Sequence, residues 1–156
     1  MKLRVLAAGT RLPAWVDDAC SDYAKRLGSD LRFELVEIAV AGRGPGADVA
    51  RAVAREGDRM LAAIRDGDFV VALEVGGKAM STADLARWLG GRMQDGRDLV
   101  FLIGGPDGLA RACRDRADFS WSLSTLTFPH GLARVVLIEQ LYRALSLKKG
   151  HPYHRA

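Results

Sequence analysis

Cysteine is scarce in this chain: there are two in 156 residues, Cys20 and Cys113, far apart and without CxxC spacing. That excludes a disulfide framework or a cysteine-based zinc site and fits a reducing compartment. Histidine, with three residues, is nearly as sparse, and no acidic or cysteine cluster accompanies His151 and His154, so no metal site is expected. No stretch approaches the ~20 apolar residues of a membrane span. The apolar run of the opening segment, Val5 to Ala8, is also too short for the core of a signal peptide. A cytoplasmic protein with no membrane partner is therefore expected. Three familiar signatures are absent as well. There is no GxSxG nucleophile elbow, no P-loop, and no GxGxxG after the first strand, where the chain instead reads AAGTRLPA.

What is present is globular. Hydrophobic residues make up 49% and charged residues 27%, far from the signature of disorder. The length suits one core, so one domain spanning 1–156 is expected. The net charge of +4 is concentrated at one end. From Gly131 onward five basic residues (Arg134, Arg143, Lys148, Lys149, Arg155) face a single acid, Glu139, while the rest of the chain balances. A local excess of this kind suits a phosphate-bearing partner, although cations also favour a helix C-terminus.

Leu3 to Ala8 reads as a short buried strand, followed through Pro13 by a helix that Gly28 ends. LRFELVEIAV predicts a second strand, and AGRGPGAD an exposed loop, with Asp48 capping a helix to about Ile64. FVVALEV and LVFLIGG are nearly continuous apolar runs, as in strands buried on both faces of a parallel sheet. Between them Ser81 and Asp84 have capping-box spacing before a third helix. A fourth helix is expected around Ala110 to Ala117, a fifth strand at WSLS, and a final helix from His130 to about Lys148. The order βαβαβαβαβα predicts an α/β fold, a mainly parallel sheet flanked by helices.

Ligands of such sheets bind beyond the carboxyl ends of the strands. The glycines Gly76 and Gly77, the loop IGGPDGL (Ile103 to Leu109) and the hydroxyl-bearing SLSTLTFPHG (Ser122 to Gly131) all lie there. Glycine lets main-chain groups approach a ligand closely, so these loops could hold an adenosine-like group by backbone hydrogen bonds. The final helix is unusual: Val135, Val136, Leu137 and Ile138 point in every direction around it. Such a helix is either sandwiched inside the monomer or presents a second face to another subunit, and the second is preferred for so small a domain. Glu139 and Arg143 have the i,i+4 spacing of an ion pair.

FLIGGPDGL, WSLSTLTFPHGLARVVLIEQLYRA and the terminal HPYHR resemble the small bacterial SPOUT-superfamily methyltransferases that act on N3 of a pseudouridine in large-subunit ribosomal RNA. The resemblance runs the length of the chain. It implies a SPOUT-type fold with a C-terminal trefoil knot and a homodimer. It also implies S-adenosylmethionine as methyl donor, held by Leu73, Gly104 and the run Leu123, Ser124, Thr125, Leu126, Thr127 and Phe128. The substrate implied is large-subunit rRNA in a hairpin loop, on the assembled ribosome. In that setting Arg143 or Arg155 would stabilise the anion developing on the base, while His154 or Tyr153 assists proton removal or holds the base. Lys148, Lys149 and Arg43 are candidates for phosphate contact. The competing readings are a non-catalytic ribosome-binding or assembly factor of the same fold, a superfamily enzyme acting on tRNA, and a conventional Rossmann methyltransferase. The missing glycine-rich first loop argues against the last of these.

Overall fold

The computed structural model describes residues 1–40 and 42–155. Ala41 of the glycine-rich loop and Ala156 of the tail lie outside the described residues. Five strands, β1 (Lys2–Ala8), β2 (Arg32–Ile38), β3 (Phe69–Ala79), β4 (Leu99–Ile103) and β5 (Phe119–Ser122), alternate with five helices, α1 (Ala14–Arg26), α2 (Val49–Ala63), α3 (Thr82–Asp95), α4 (Arg111–Arg116) and α5 (His130–Lys148). The strand order is β2-β1-β4-β3-β5, and every pairing is parallel.

The apolar runs of β1 and β4 divide between two faces by the period-two geometry of a strand. Leu3, Val5, Ala7, Leu99, Phe101 and Ile103 face α1, α3 and α5, whereas Leu6, Ala8, Val100 and Leu102 face α2 and α4. Trp88 seats α3, its ring 6.1 Å from Phe69, 6.4 Å from Phe101 and 5.6 Å from Phe119. On the opposite face Arg4, itself buried, pairs with buried Asp68 and donates to the Ala63 carbonyl at 2.7 Å, tying β1 to the turn after α2.

The local start and stop signals operate as the residue types dictate. Asp48 Oδ1 accepts from the Arg51 N–H at 3.1 Å, and Ser81 and Asp84 complete a reciprocal capping box. The fifth strand begins two residues earlier than WSLS suggests, and Leu123 and Ser124 fall in the loop after it. β3 is longer than FVVALEV because it contains an irregularity: Trp121 of β5 lies opposite both Leu73 and Lys78. The intervening Glu74–Gly77 segment bows out, and Gly77 permits it. A Cβ there would lie 2.8 Å from the Ser120 and Trp121 backbone.

α5 packs between α1 and α3 on one sheet face. This sandwiching explains Leu137, Ile138, Leu141 and Leu145, which are buried within the monomer without a second subunit, while the flank of Leu132, Val135 and Val136 stays half-buried. Arg134 is fully buried within this layer. Its Nη1 lies 2.8 Å from Glu37 Oε2, and its Nη2 donates to the Gly9 carbonyl at 2.8 Å and lies 3.4 Å from that of Ala8. Replacing it with alanine removes the partner of several groups at once. Because Glu37 is part-exposed, a loss of about 2–4 kcal/mol is expected in urea denaturation. Arg111→Ala, at an exposed 3.9 Å pair with Asp115, should cost less than about 1 kcal/mol.

Candidate functional site

The bow within β3 and the carboxyl ends of β4 and β5 open into a cavity of about 700 Å³, within the range of a cofactor-sized site. Its apolar lining comes from Leu73, Val75, Ile103, Leu109, Leu123, Leu126 and Phe128, and its polar groups come from Glu74, Arg114, Ser124, Thr127 and His130. Three loops build it. The bowed Glu74–Gly77 segment supplies one wall. The second is a tight turn at Gly105-Pro106-Asp107-Gly108, closed by the Gly108 N–H on the Gly105 carbonyl at 3.0 Å, with Gly108 at φ +80°. Its approach is so close that a Cβ on Gly104 would sit 2.5 Å from the Gly108 carbonyl carbon. The third, 123–129, is pinned by Ser124: its carbonyl accepts from Ser122 Oγ at 2.8 Å, and its hydroxyl accepts from the Leu126 N–H at 3.0 Å.

Seven of the eight residues named for the cofactor therefore line one cavity: Leu73, Gly104, Leu123, Ser124, Leu126, Thr127 and Phe128. Thr125 lies in the same loop but outside the lining. Sequence reasoning passed over Glu74, Arg114 and His130. Glu74 accepts from Ser120 Oγ at 3.1 Å and lies 3.6 Å from Arg114 Nε. Its signal was its place directly after Leu73 at a strand end, whereas Arg114 reaches the cavity from α4 only through the fold.

The tail forms a separate cluster. Gly150, at φ +71°, ends α5 in a Schellman turn, with Gly150 N–H on the Leu147 carbonyl at 3.2 Å and His151 N–H on that of Ser146 at 2.8 Å. The chain then folds back as a short 3-10 turn, Pro152–Arg155, against α5. The Tyr153 ring packs 4.6 Å from that of Tyr142, and its hydroxyl lies 3.2 Å from Glu139 Oε1 and 3.3 Å from the Tyr23 hydroxyl. Arg143 pairs with Glu139 at 2.7 Å and stands over the Tyr153 ring. Burial first, then the Tyr23 hydrogen bond and the Glu139 charge, push the Tyr153 phenol up, so it keeps its proton at neutral pH. His154 Nδ1 is buried without a hydrogen-bond partner among the described residues. Arg143 and Tyr153 meet at the far end of α5 from the cavity, and His154 and Arg155 follow Tyr153 in the same short turn. Ala133 lines the cavity ten residues before Arg143, roughly 15 Å along a helix. Two of the basic residues assigned to phosphate are engaged within the chain: Lys149 pairs with Asp30, and Arg43 with Glu56 and Asp107. Lys148 is exposed, with its stem over Gly90.

Both cysteines are buried and burial raises their pKa, so neither is an activated nucleophile. Among the described residues no three His, Cys, Asp or Glu side chains converge as metal ligands, and no helix is long and apolar enough to cross a membrane. His130, at the cavity edge beside Gly9, has its pKa pulled below the ordinary 6.5, first by burial and then by the Arg134 charge. Folding therefore favours its neutral form. That contribution is complete above pH 6.5 and is lost as pH falls from there toward the depressed folded value. Melting followed from pH 7 down to pH 5 should fall less steeply for His130→Gln than for the parent; identical slopes would remove His130 from the acid response.

Residues 1–154 match the family described as "Predicted SPOUT methyltransferase". A "Ribosomal RNA large subunit methyltransferase H" of Alkalilimnicola ehrlichii is 56% identical over 156 residues, covering both chains completely. A protein of the same name from Thioalkalivibrio sulfidiphilus is 54% identical over 155 residues, 99% of each chain. The crystal structure of a "probable rRNA-methyltransferase" from Porphyromonas gingivalis superposes with a TM-score of 0.56 at 12% identity, over 94% of this chain and 68% of that one, a likeness of fold. With a parallel sheet whose cavity is walled by the bowed segment within β3 and the loops after β4 and β5, and with a match that runs from the first residue to the tail, the chain belongs to the SPOUT methyltransferase family.

Proposed function

We propose that the whole chain acts as one methyltransferase domain that methylates N3 of a pseudouridine in large-subunit ribosomal RNA, with S-adenosylmethionine as donor. The observation that carries this reading is the cavity. Its three loops supply an apolar slot for a purine and main-chain groups for its edge, at a volume suited to such a cofactor. The large-subunit rRNA methyltransferase names of its relatives agree with it. When bound, the cofactor would supply a sulfonium-activated methyl group.

The protein's part is to orient and to manage a proton. Leu73, Leu123, Leu126 and Phe128 would enclose the adenine, with the Gly104 backbone and the Ser124 to Thr127 run along its edge. The pseudouridine N3 is a weakly acidic imide and must lose its proton before it attacks. His154, with its unpartnered buried nitrogen, suits the acceptor; Tyr153, which holds its own proton, suits the hydrogen bond to the base. Arg155 and Arg143 would stabilise the developing anion. The loop of the target hairpin would lie over the cavity mouth, with Lys148 among the groups facing phosphate.

Cavity and tail occupy opposite ends of α5 within one chain. A homodimer with the half-buried α5 flank in its interface would bring one chain's tail to the partner's cavity. The threading of the C-terminal segment through a knot and a cytoplasmic site of action belong to the same proposal. Labelled S-adenosylmethionine incubated with intact ribosomes, isolated large subunits and free rRNA, followed by nucleoside mass spectrometry, should yield N3-methylpseudouridine, most of it on the assembled particle. Its absence from all three would overturn the reading. Uptake of no cofactor in a titration would leave the binding-factor alternative. His154→Ala and Arg155→Ala should each slow single-turnover transfer about 10²-fold while cofactor affinity holds, and mixing a tail variant with the cavity variant Gly104→Val should restore transfer in mixed dimers. Full activity of both tail variants would deny the tail a chemical role.

A further inference from the structure

Arg43 was expected to face phosphate, yet its guanidinium is committed inside the chain. From the loop before α2 its Nη2 reaches Glu56 Oε1 at 2.7 Å and its Nε reaches Asp107 Oδ2 at 2.6 Å. The two acids differ in kind. Glu56 is buried, with 3% of its side chain exposed, whereas Asp107 is 39% exposed at the tip of the cavity turn, between the lining residues Pro106 and Gly108.

Glu56 is held behind that turn by the packing of α2. The neighbouring Gly57 approaches so closely that a Cβ there would lie 2.5 Å from the Ala110 Cβ, and the Cys113 thiol points at the Gly57 carbonyl, 3.5 Å away. A Cβ on Gly105 would lie 3.6 Å from Glu56 Oε2. A buried carboxylate thus backs the turn, and a cation bridges it to the turn's exposed tip. If Arg43 swung outward to a phosphate, Glu56 would be left buried without this partner, which is costly. The planar, forked guanidinium can reach both carboxylates at once, as a single ammonium cannot with the same directionality.

We infer that Arg43 is a positioning residue that clasps the Gly104–Leu109 turn in its ligand-ready shape by bridging Glu56 and Asp107. The clasp lowers the cost of ordering the turn when the cavity fills. It also ties the glycine-rich loop before α2 to the state of the cavity. This inference rests on the reading of the cavity as a cofactor site.

The test compares the full-length parent with Arg43→Gln, Arg43→Lys and Asp107→Asn. Asp107→Asn leaves the Arg43–Glu56 pair intact, so it remains informative if Arg43→Gln folds poorly. Hydrogen exchange of the ligand-free proteins should show faster exchange at Gly104–Leu109 in Arg43→Gln and Asp107→Asn, with Arg43→Lys between them and the parent. Calorimetry with S-adenosylhomocysteine should show dissociation constants raised about 5–10-fold, because the turn must then be ordered on binding. The KM for the donor should rise while kcat at saturation holds. Parent-like exchange in the turn for both Arg43→Gln and Asp107→Asn would overturn the clasp, as would a lowered melting temperature with no change in exchange or affinity. A parent protein that takes up no cofactor would instead sink the functional reading, while the exchange measurement would still decide the clasp.

Discussion

Arg134 carries a charge into the layer between the sheet and its helices, where a carboxylate and two backbone carbonyls receive it. Its two terminal nitrogens reach Glu37 at the end of β2 and the Ala8 and Gly9 carbonyls at the end of β1. A fully buried guanidinium is tolerated only when such partners are fixed in place. α5 therefore has a set height and rotation against the strand ends. His130 then falls beside Gly9 and at the cavity edge, Ala133 at the cavity wall, and the 123–129 loop between β5 and α5 over the cavity mouth. The same rotation turns Leu137, Ile138 and Leu141 into the core and leaves Glu139 and Arg143 on the side where the tail folds back.

The cavity depends on glycines for a different reason. Gly104 and Gly77 sit where backbone meets backbone at distances that exclude any Cβ. Such approaches crowd three loops into one small region beyond the strand ends. They present main-chain donors and acceptors rather than long side chains, and the charged groups that do enter, Glu74 and Arg114, hold each other. The result is a site shaped to hold and orient a ligand, in keeping with group transfer from a bound donor.

Charge in this chain is largely spoken for. Arg4, Arg43, Arg134 and Arg143 each bind a carboxylate within the fold, and Lys149 is paired at the surface. A count of basic residues toward the C-terminus therefore overstates what is available to a polyanion. Local composition measures the charge, but only packing decides whether its field is already answered.

The residues alone determined the element order and the parallel sheet, because buried strands need continuous apolar runs and helices announce their ends through Asp48, Ser81 and Gly28. They also marked the three glycine- and hydroxyl-rich loops, since tight backbone approach demands those residue types. What the tertiary structure decided is everything that joins distant stretches: that α5 lies between α1 and α3, that Glu74 and Arg114 meet in the cavity, that Arg43 answers Glu56 and Asp107 rather than solvent, and that the tail packs on Tyr142 and Tyr23 rather than on its own chain's cavity. Periodicity reports which face of an element is apolar. It carries no information about which partner covers that face or completes an ion pair, because those contacts arise only when elements far apart in the chain are brought together by the burial of both.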